Sequence, residues 1–597
     1  MMATKTTEPA VLSGRETLHR FLSRMIFVTL VIAVHLTPLC ADEAVITVFR
    51  AKRIYTMDPG WPEATTVAVQ DTRVISVGTY EDVQLTLGTR PFITDDTLSD
   101  KILMPGFIET HGHPLTGAIG MTRPLLSTLP VAQPYGPDVP GLKTLDEVSQ
   151  KLKEYVAAEK DPKKTVLVWG YDVVAMGRHL DREFLDEIST TQPLLVWDIS
   201  EHFVYANSAA LKAAGAAEAA AKMDGVGVGQ NGELNGQFSG TQAIRFILVS
   251  QISDLLAPEV ALKNMKFLAD LNRKHGVTTT SELSFGAMNI EIELQLLDQF
   301  FNDPNGVQRC ITVADGKSIS AENDTAYIFV KNLEQRNTDQ LMFRGVRFIA
   351  DNSFSGVAIP VESVSGKDSP VNPSISNPGQ DLFLQLRPWW DYGFHIHVDT
   401  DGTAANQKTI ETLSALQKHR ARFDHRFTCH NFGMPTQDQV RKLNVLGGLA
   451  SINPYDLHHR AEFNAPLVGA ERAYTAARFK TLLDAGIPVS MHADTPFGPP
   501  KPLEWVWIAV NRLGLSGNVR GQSERVTPMQ AFRMVTIDAA YTLGVEDKLG
   551  SIEPGKFADF TVLEDDPLSV PVEQIRDVKV WGTVLGGKVL PASEVRP

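Results

Sequence analysis

Between about residue 105 and residue 547 the chain alternates short apolar segments with amphipathic helical stretches, and on both sides of that span the patterning turns to β-type. Few folds accommodate this order. Parallel strands need crossover helices, so strands alternating with helices over such a length favour a parallel α/β barrel. Strand candidates are 165–168, 193–196, 276–280, 345–349, 393–397, 426–429, 448–451 and 487–491, and helical periodicity runs over 145–158, 260–275, 290–301, 438–446 and 476–485. The flanking segments 45–49, 66–69, 73–77, 558–563 and 578–584 are short strands joined by turns. Both chain ends are therefore expected to build one small β-sandwich, residues 42–104 with 548–597, beside a barrel at 105–547. The stretch from about 125 to 251 exceeds what a barrel connection needs and is expected to be an inserted α/β subdomain. The Ala-rich run Ala213–Ala221 is read as a helix end and linker.

The net charge of −14 and the lack of any basic cluster argue against nucleic acid and anionic membrane surfaces as partners, and the partner expected is a small-molecule substrate. At the N-terminus Arg15, Arg20 and Arg24 precede the apolar stretch Met25–Leu39, followed by Cys40-Ala-Asp42. His35 and Pro38 interrupt that stretch and it is short for a membrane span. Residues 1–41 are thus expected to be a signal peptide, giving an exported, periplasmic or secreted protein with no membrane attachment after cleavage, with an uncleaved membrane anchor as the alternative. The three cysteines, at 40, 310 and 429, allow at most one disulfide in the mature chain.

Within the barrel span, Met104-Pro-Gly-Phe-Ile-Glu-Thr-His-Gly-His113 reads as a strand ending in two imidazoles. Side chains two apart on a strand share a face, and imidazole nitrogens suit zinc and its neighbours. His397, His430 and Asp494 lie at the ends of further strand candidates, where a parallel barrel assembles its site. One such residue is readily explained as structural. Five of them point to a metal centre.

These motifs resemble the amidohydrolase superfamily, in particular its YtcJ-like branch, amidohydrolase family 3. The likeness is carried by Ala51–Asp58 and Val67–Gly78, by Pro105–His113, by His202-Phe-Val-Tyr-Ala-Asn207-Ser-Ala-Ala-Leu211, and by Gly550-Ser-Ile-Glu-Pro-Gly-Lys-Phe-Ala-Asp559. The resemblance implies an α/β fold: a distorted (β/α)8 TIM barrel with a β-sandwich from both chain ends and the inserted subdomain. It implies a metal-dependent hydrolase of non-peptide C–N bonds, with amide hydrolysis first and ester or lactone hydrolysis, deamination or a lyase or isomerase step as alternatives on the same site. A binding protein that kept the fold without catalysis is the remaining alternative. His111 and His113 correspond to first-strand metal ligands, His397 to the fifth-strand and His430 to the sixth-strand ligand. Asp494 corresponds to the eighth-strand aspartate, a ligand that also moves the proton. The expected cofactor is a divalent metal, zinc by default, as one or two ions. Oligomeric state is left open by the sequence, a homodimer being the commonest arrangement for enzymes of this kind.

One departure stands out. Many relatives carry a fourth-strand lysine that is carboxylated and bridges two metals, whereas Gly345-Val-Arg347-Phe-Ile349 has an arginine, which cannot form that carbamate. Glu282, placed near the end of a third strand, is the expected replacement ligand, with an ion pair to Arg347 as its alternative and Asp351 as a further candidate acid. His202, at the end of a second strand, is expected to contact substrate and stabilise the oxyanion. Tyr171, Asp172, Arg347 and His492 are candidate pocket residues, His458 and His459 form a strand-end loop pair, and Trp389-Trp390 is read as packing.

Overall fold

The structure, a computed structural model, describes residues 45–216, 222–252, 257–322, 325–351 and 381–596. The proposed signal peptide and the end of the Ala-rich run (217–221) lie outside the described residues. Among the described residues no helix is long and apolar enough to cross a membrane.

Eight parallel strands follow one another around the molecule in chain order: Phe107–Ile108, Val277–Phe285, Arg309–Asp315, Leu341–Ile349, Ile396–Thr400, Thr428–Asn431, Leu449–Ile452 and Val489–Met491. They are buried almost throughout, as expected of strands covered on both faces. The first strand meets the segment after the eighth through a parallel bridge between Gly112 and Thr495, where the His113 amide donates to the Thr495 carbonyl at 3.0 Å. Thr110 also donates to the Met491 carbonyl at 3.1 Å. The result is the distorted (β/α)8 barrel.

Two strand assignments change. The segment Leu194–Asp198, expected as the second barrel strand, belongs to a separate five-stranded sheet. Val277–Phe285 is therefore the second barrel strand, not the third, and Arg309–Asp315 is a third strand that the pattern did not disclose. An apolar run of strand length carries no label for its sheet; Leu194–Asp198 is claimed by Val166–Tyr171 on one side and Phe203–Ala206 on the other.

That five-stranded sheet, completed by Leu234–Ser239 and Val226–Val228, is the inserted subdomain. Buried Asn207 holds its corner. It accepts from the amides of Leu194 (3.0 Å) and Ala210 (2.8 Å) and donates to the carbonyls of Ser189 (2.7 Å) and Gln192 (2.9 Å). The Asn-Ser motif is thus structural: four hydrogen bonds cap the helix Ser208–Ala213 and pin two strands. Asp172 joins this subdomain to the barrel through a buried ion pair with Arg460 at 2.7 Å.

Both chain ends meet in one eight-stranded sheet, in which Ile102–Pro105 lies between Ile46–Tyr55 and the C-terminal Phe560–Leu563. The C-terminal motif locks this sheet to the barrel. Asp559 receives both Arg309 nitrogens at 2.6 and 2.9 Å, and the Phe557 ring lies between the guanidinium groups of Arg73 and Arg309, 3.8 Å from each. Gly106 marks the crossing from sheet to barrel, since a Cβ there would stand 2.0 Å from Thr278 Oγ1. Trp389 and Trp390 are core residues, as expected.

Candidate metal centre

The polar cluster sits where the first, fifth, sixth and eighth strands end, beside the helix Pro114–Met121 that begins at His113. His113 Nε2 lies 3.1 Å from Asp494 Oδ1, and His111 Nε2 lies 3.5 Å from the same oxygen. His111 Nε2 is buried and has no hydrogen-bond partner. Tetrahedral zinc with bonds of about 2.0–2.1 Å separates its ligand atoms by roughly 3.3 Å. Two imidazoles and a carboxylate at this spacing, one of them with an unused lone pair, fit a divalent cation in size and in donor chemistry.

The remaining imidazoles extend this group. His430 Nδ1 is 3.1 Å from His111 Nδ1, and its Nε2 is 2.8 Å from His397 Nδ1. His397 is the second residue of its strand rather than the last; the register sets it opposite Thr428 and Asp399 opposite His430, so the two imidazoles meet diagonally on one face. Burial, reinforced by neighbouring histidines, holds His111 and His430 well below the ordinary imidazole range, and burial lowers His397 to about 3. All three are neutral, the form in which imidazole binds metal.

His113 behaves differently. Burial opposes its charge, yet the carboxylates of Asp494 and Glu282 raise it to about 10, and in return His113 holds Asp494 below the usual carboxylate range against the effect of burial. In the metal-free protein His113 therefore carries a proton at pH 8, and a cation must displace it. Zinc titration of metal-free protein at pH 8, by calorimetry in buffers of different ionisation enthalpy, should show release of about one proton per first cation bound. Absence of proton release would show that His113 is already neutral.

Glu282 stands behind His113. Its Oε1 is 3.8 Å from His113 Nδ1 and accepts from the Ser284 amide at 2.9 Å, and its Oε2 accepts from the Leu115 amide at 3.0 Å. Both oxygens of Glu282 are thus turned onto backbone amides, with the carboxylate behind the His113 ring. Its pairing with Arg347 is not formed. Arg347 instead forms a buried ion pair with Asp399 on the neighbouring strand, Nε to Oδ2 at 2.9 Å, with Nη2 close to the same oxygen. Its Nη1 donates to Ser284 Oγ at 2.9 Å, and that hydroxyl lies 3.1 Å from His113 Nδ1. Arg347, Ser284 and Glu282 together orient His113.

His202 lies in the turn between Leu194–Asp198 and Phe203–Ala206, on the subdomain and not on a barrel strand. It is half-buried, feels the charges of Arg347, Asp494 and His113, and is lowered to about 4 by burial and then by Arg347, so it is neutral. Tyr171 does not reach the cluster. Its ring packs in the subdomain core and its hydroxyl donates to the Arg178 carbonyl at 2.8 Å. Asp351 accepts from the amides of Asp401 and Gly402, both at 2.8 Å, and so shapes the loop after the fifth strand. His459 stacks on Tyr455 with ring centroids 4.4 Å apart, and His458 contacts the Leu513 carbonyl at 2.5 Å. His492 is fully buried and stacks on His111 at 4.8 Å.

Sequence reasoning missed two acids, Asp399 and Glu109. Each is two residues from a histidine of the cluster, on the same strand face, and period two was the available signal. Glu109 accepts from the amides of His111 and Ala493 at 3.2 Å, and burial pushes it up to about 8.

Comparison with known proteins gives one concordant picture. The model of a family described as amidohydrolase family matches residues 98–591. The chain is 22% identical over 548 residues to a putative amidohydrolase, YtcJ, of Bacillus subtilis, covering 90% of this chain and 98% of that one. It is 25% identical over 562 residues to an N-substituted formamide deformylase of Arthrobacter pascens, covering 88% and 94%. Among solved structures it is similar to an uncharacterized metal-dependent hydrolase of Pyrococcus horikoshii, with a TM-score of 0.65, 18% identity, and coverage of 88% and 99%.

Proposed function

The chain belongs to the amidohydrolase family, and from that premise we propose that it hydrolyses a carbon–nitrogen bond other than a peptide bond, in the first place an amide, in a small molecule. The observation that carries this reading is the group His111, His113 and Asp494, in which two neutralisable imidazoles and an ionised carboxylate converge at cation spacing. When bound there, a divalent cation such as zinc supplies Lewis acidity and makes a water acidic enough to attack at neutral pH.

The chain's own residues do the rest. Asp494, kept anionic by His113, accepts the proton of the attacking water and returns it to the departing nitrogen. His202, kept neutral, donates one hydrogen bond to the substrate carbonyl oxygen. Arg347 and Ser284 hold His113 in orientation throughout. The resemblance to an enzyme named for N-substituted formamides supports the amide class. The signal-type segment 1–41 supports export.

A substrate panel tests the proposal. Small N-substituted amides, including formamides, should be turned over, with activity lost on chelation and restored by zinc. Turnover confined to esters, lactones or amino-heterocycles would replace the amide reading with those chemistries. Metal binding without any turnover would point to a binding protein.

A further inference from the structure

The five histidines of the cluster leave four ring nitrogens buried and without a hydrogen-bond partner: His111 Nε2, His397 Nε2 and both nitrogens of His492. A cation between His111, His113 and Asp494 would satisfy the first of these and does nothing for His492. A buried polar atom without a partner is costly, and His492 carries two in a fully enclosed ring. Its ring stacks on His111, with centroids 4.8 Å apart and planes 19° from parallel, and stands 5.9 Å from the His430 ring. One nitrogen each from His111, His430 and His492 lie within 4.8 Å of one another.

We propose that His492 is a metal ligand which, with His111 and His430, forms a second position for a borderline-soft divalent cation of the zinc type. The proposal rests on the first position being occupied as described above. It gives the centre a route to two cations although Arg347 cannot form a bridging carbamate and Glu282 faces backbone amides. The second position is built from imidazoles alone, which disfavours hard cations such as magnesium and calcium. His111 presents Nε2 to Asp494 and Nδ1 towards His430. It would therefore bridge the two positions as an imidazolate, losing its ring proton to solvent when the second cation binds.

The test is a titration of metal-free full-length protein with zinc, read as bound metal per chain, and with cobalt, read by its visible absorption. Two equivalents are expected in the wild type, with the second binding step lost in His492→Ala and the first retained. His492→Asn serves as a second variant of closer size and polarity. Thermal melting of the metal-free proteins reports whether either variant is folded. Two equivalents in both folded variants would overturn the assignment, as would a single equivalent in the wild type. A single equivalent accompanied by amide turnover would overturn this inference and leave the proposed function standing. No uptake at all would end both.

Discussion

Asp494→Asn is expected to cut turnover about a thousandfold while the centre still holds its first cation. Asparagine is the appropriate probe because Asp494 sits in the left-handed region, with φ of 57°, and asparagine adopts that conformation more readily than most side chains. The substitution preserves shape and leaves an oxygen facing His111 and His113. It removes the negative charge and the site that takes the water proton. Cation affinity should weaken as well, so kcat must be read at saturating zinc, with bound metal measured on the same sample. Turnover within a fewfold of wild type, with metal bound, would remove Asp494 from proton transfer.

The second large effect is on stability. Arg347→Met should destabilise the protein by about 3–5 kcal/mol, because it strands the Asp399 carboxylate in the barrel interior. Asp399→Leu alone should cost a similar amount by stranding the guanidinium. The double variant Arg347→Met/Asp399→Leu should recover most of the loss, since replacing a buried pair by apolar groups is close to neutral. Urea denaturation midpoints of the four proteins decide this. Single variants with unchanged midpoints would show that the pair does not support the barrel. Activity should fall in Arg347→Met and in the double variant, because His113 loses the Arg347–Ser284 support even where stability returns.

Both effects trace to features of different legibility. The histidines and Asp494 were readable because strand periodicity and strand ends are local patterns: His111 and His113 share a face whatever surrounds them. Six of the seven strands that follow the first in the barrel were readable for the same reason. Arg309–Asp315 was not, because it opens with Arg309 and Cys310 and closes with Asp315, which dilutes a short apolar run. Arg309 is polar there for a long-range reason, its pairing with Asp559 across 250 residues. The helix Thr403–His419 escaped similarly, since buried Asn406, Thr409 and Thr412 blur its apolar stripe.

Partners were the least legible feature. Glu282 turns to backbone amides and Arg347 to Asp399 and Ser284 rather than to each other, and no spacing rule predicts that Asp399 would take the guanidinium. His202 was foreseen near the site but attached to the wrong sheet, because Leu194–Asp198 has the composition of a barrel strand and only its pairing shows otherwise. Tyr171, a candidate pocket residue reached from the insertion, belongs to the subdomain core. In each case the residue type was informative and the tertiary contact that assigns its role was not encoded locally.

The most direct test of the account is the metal content of the protein purified without added metal or chelator, measured by mass spectrometry for the wild type and for His111→Ala. The account predicts at least one equivalent of a divalent transition metal per wild-type chain and its loss in the variant. A wild-type chain that carries no metal and takes up none when zinc is added would contradict it.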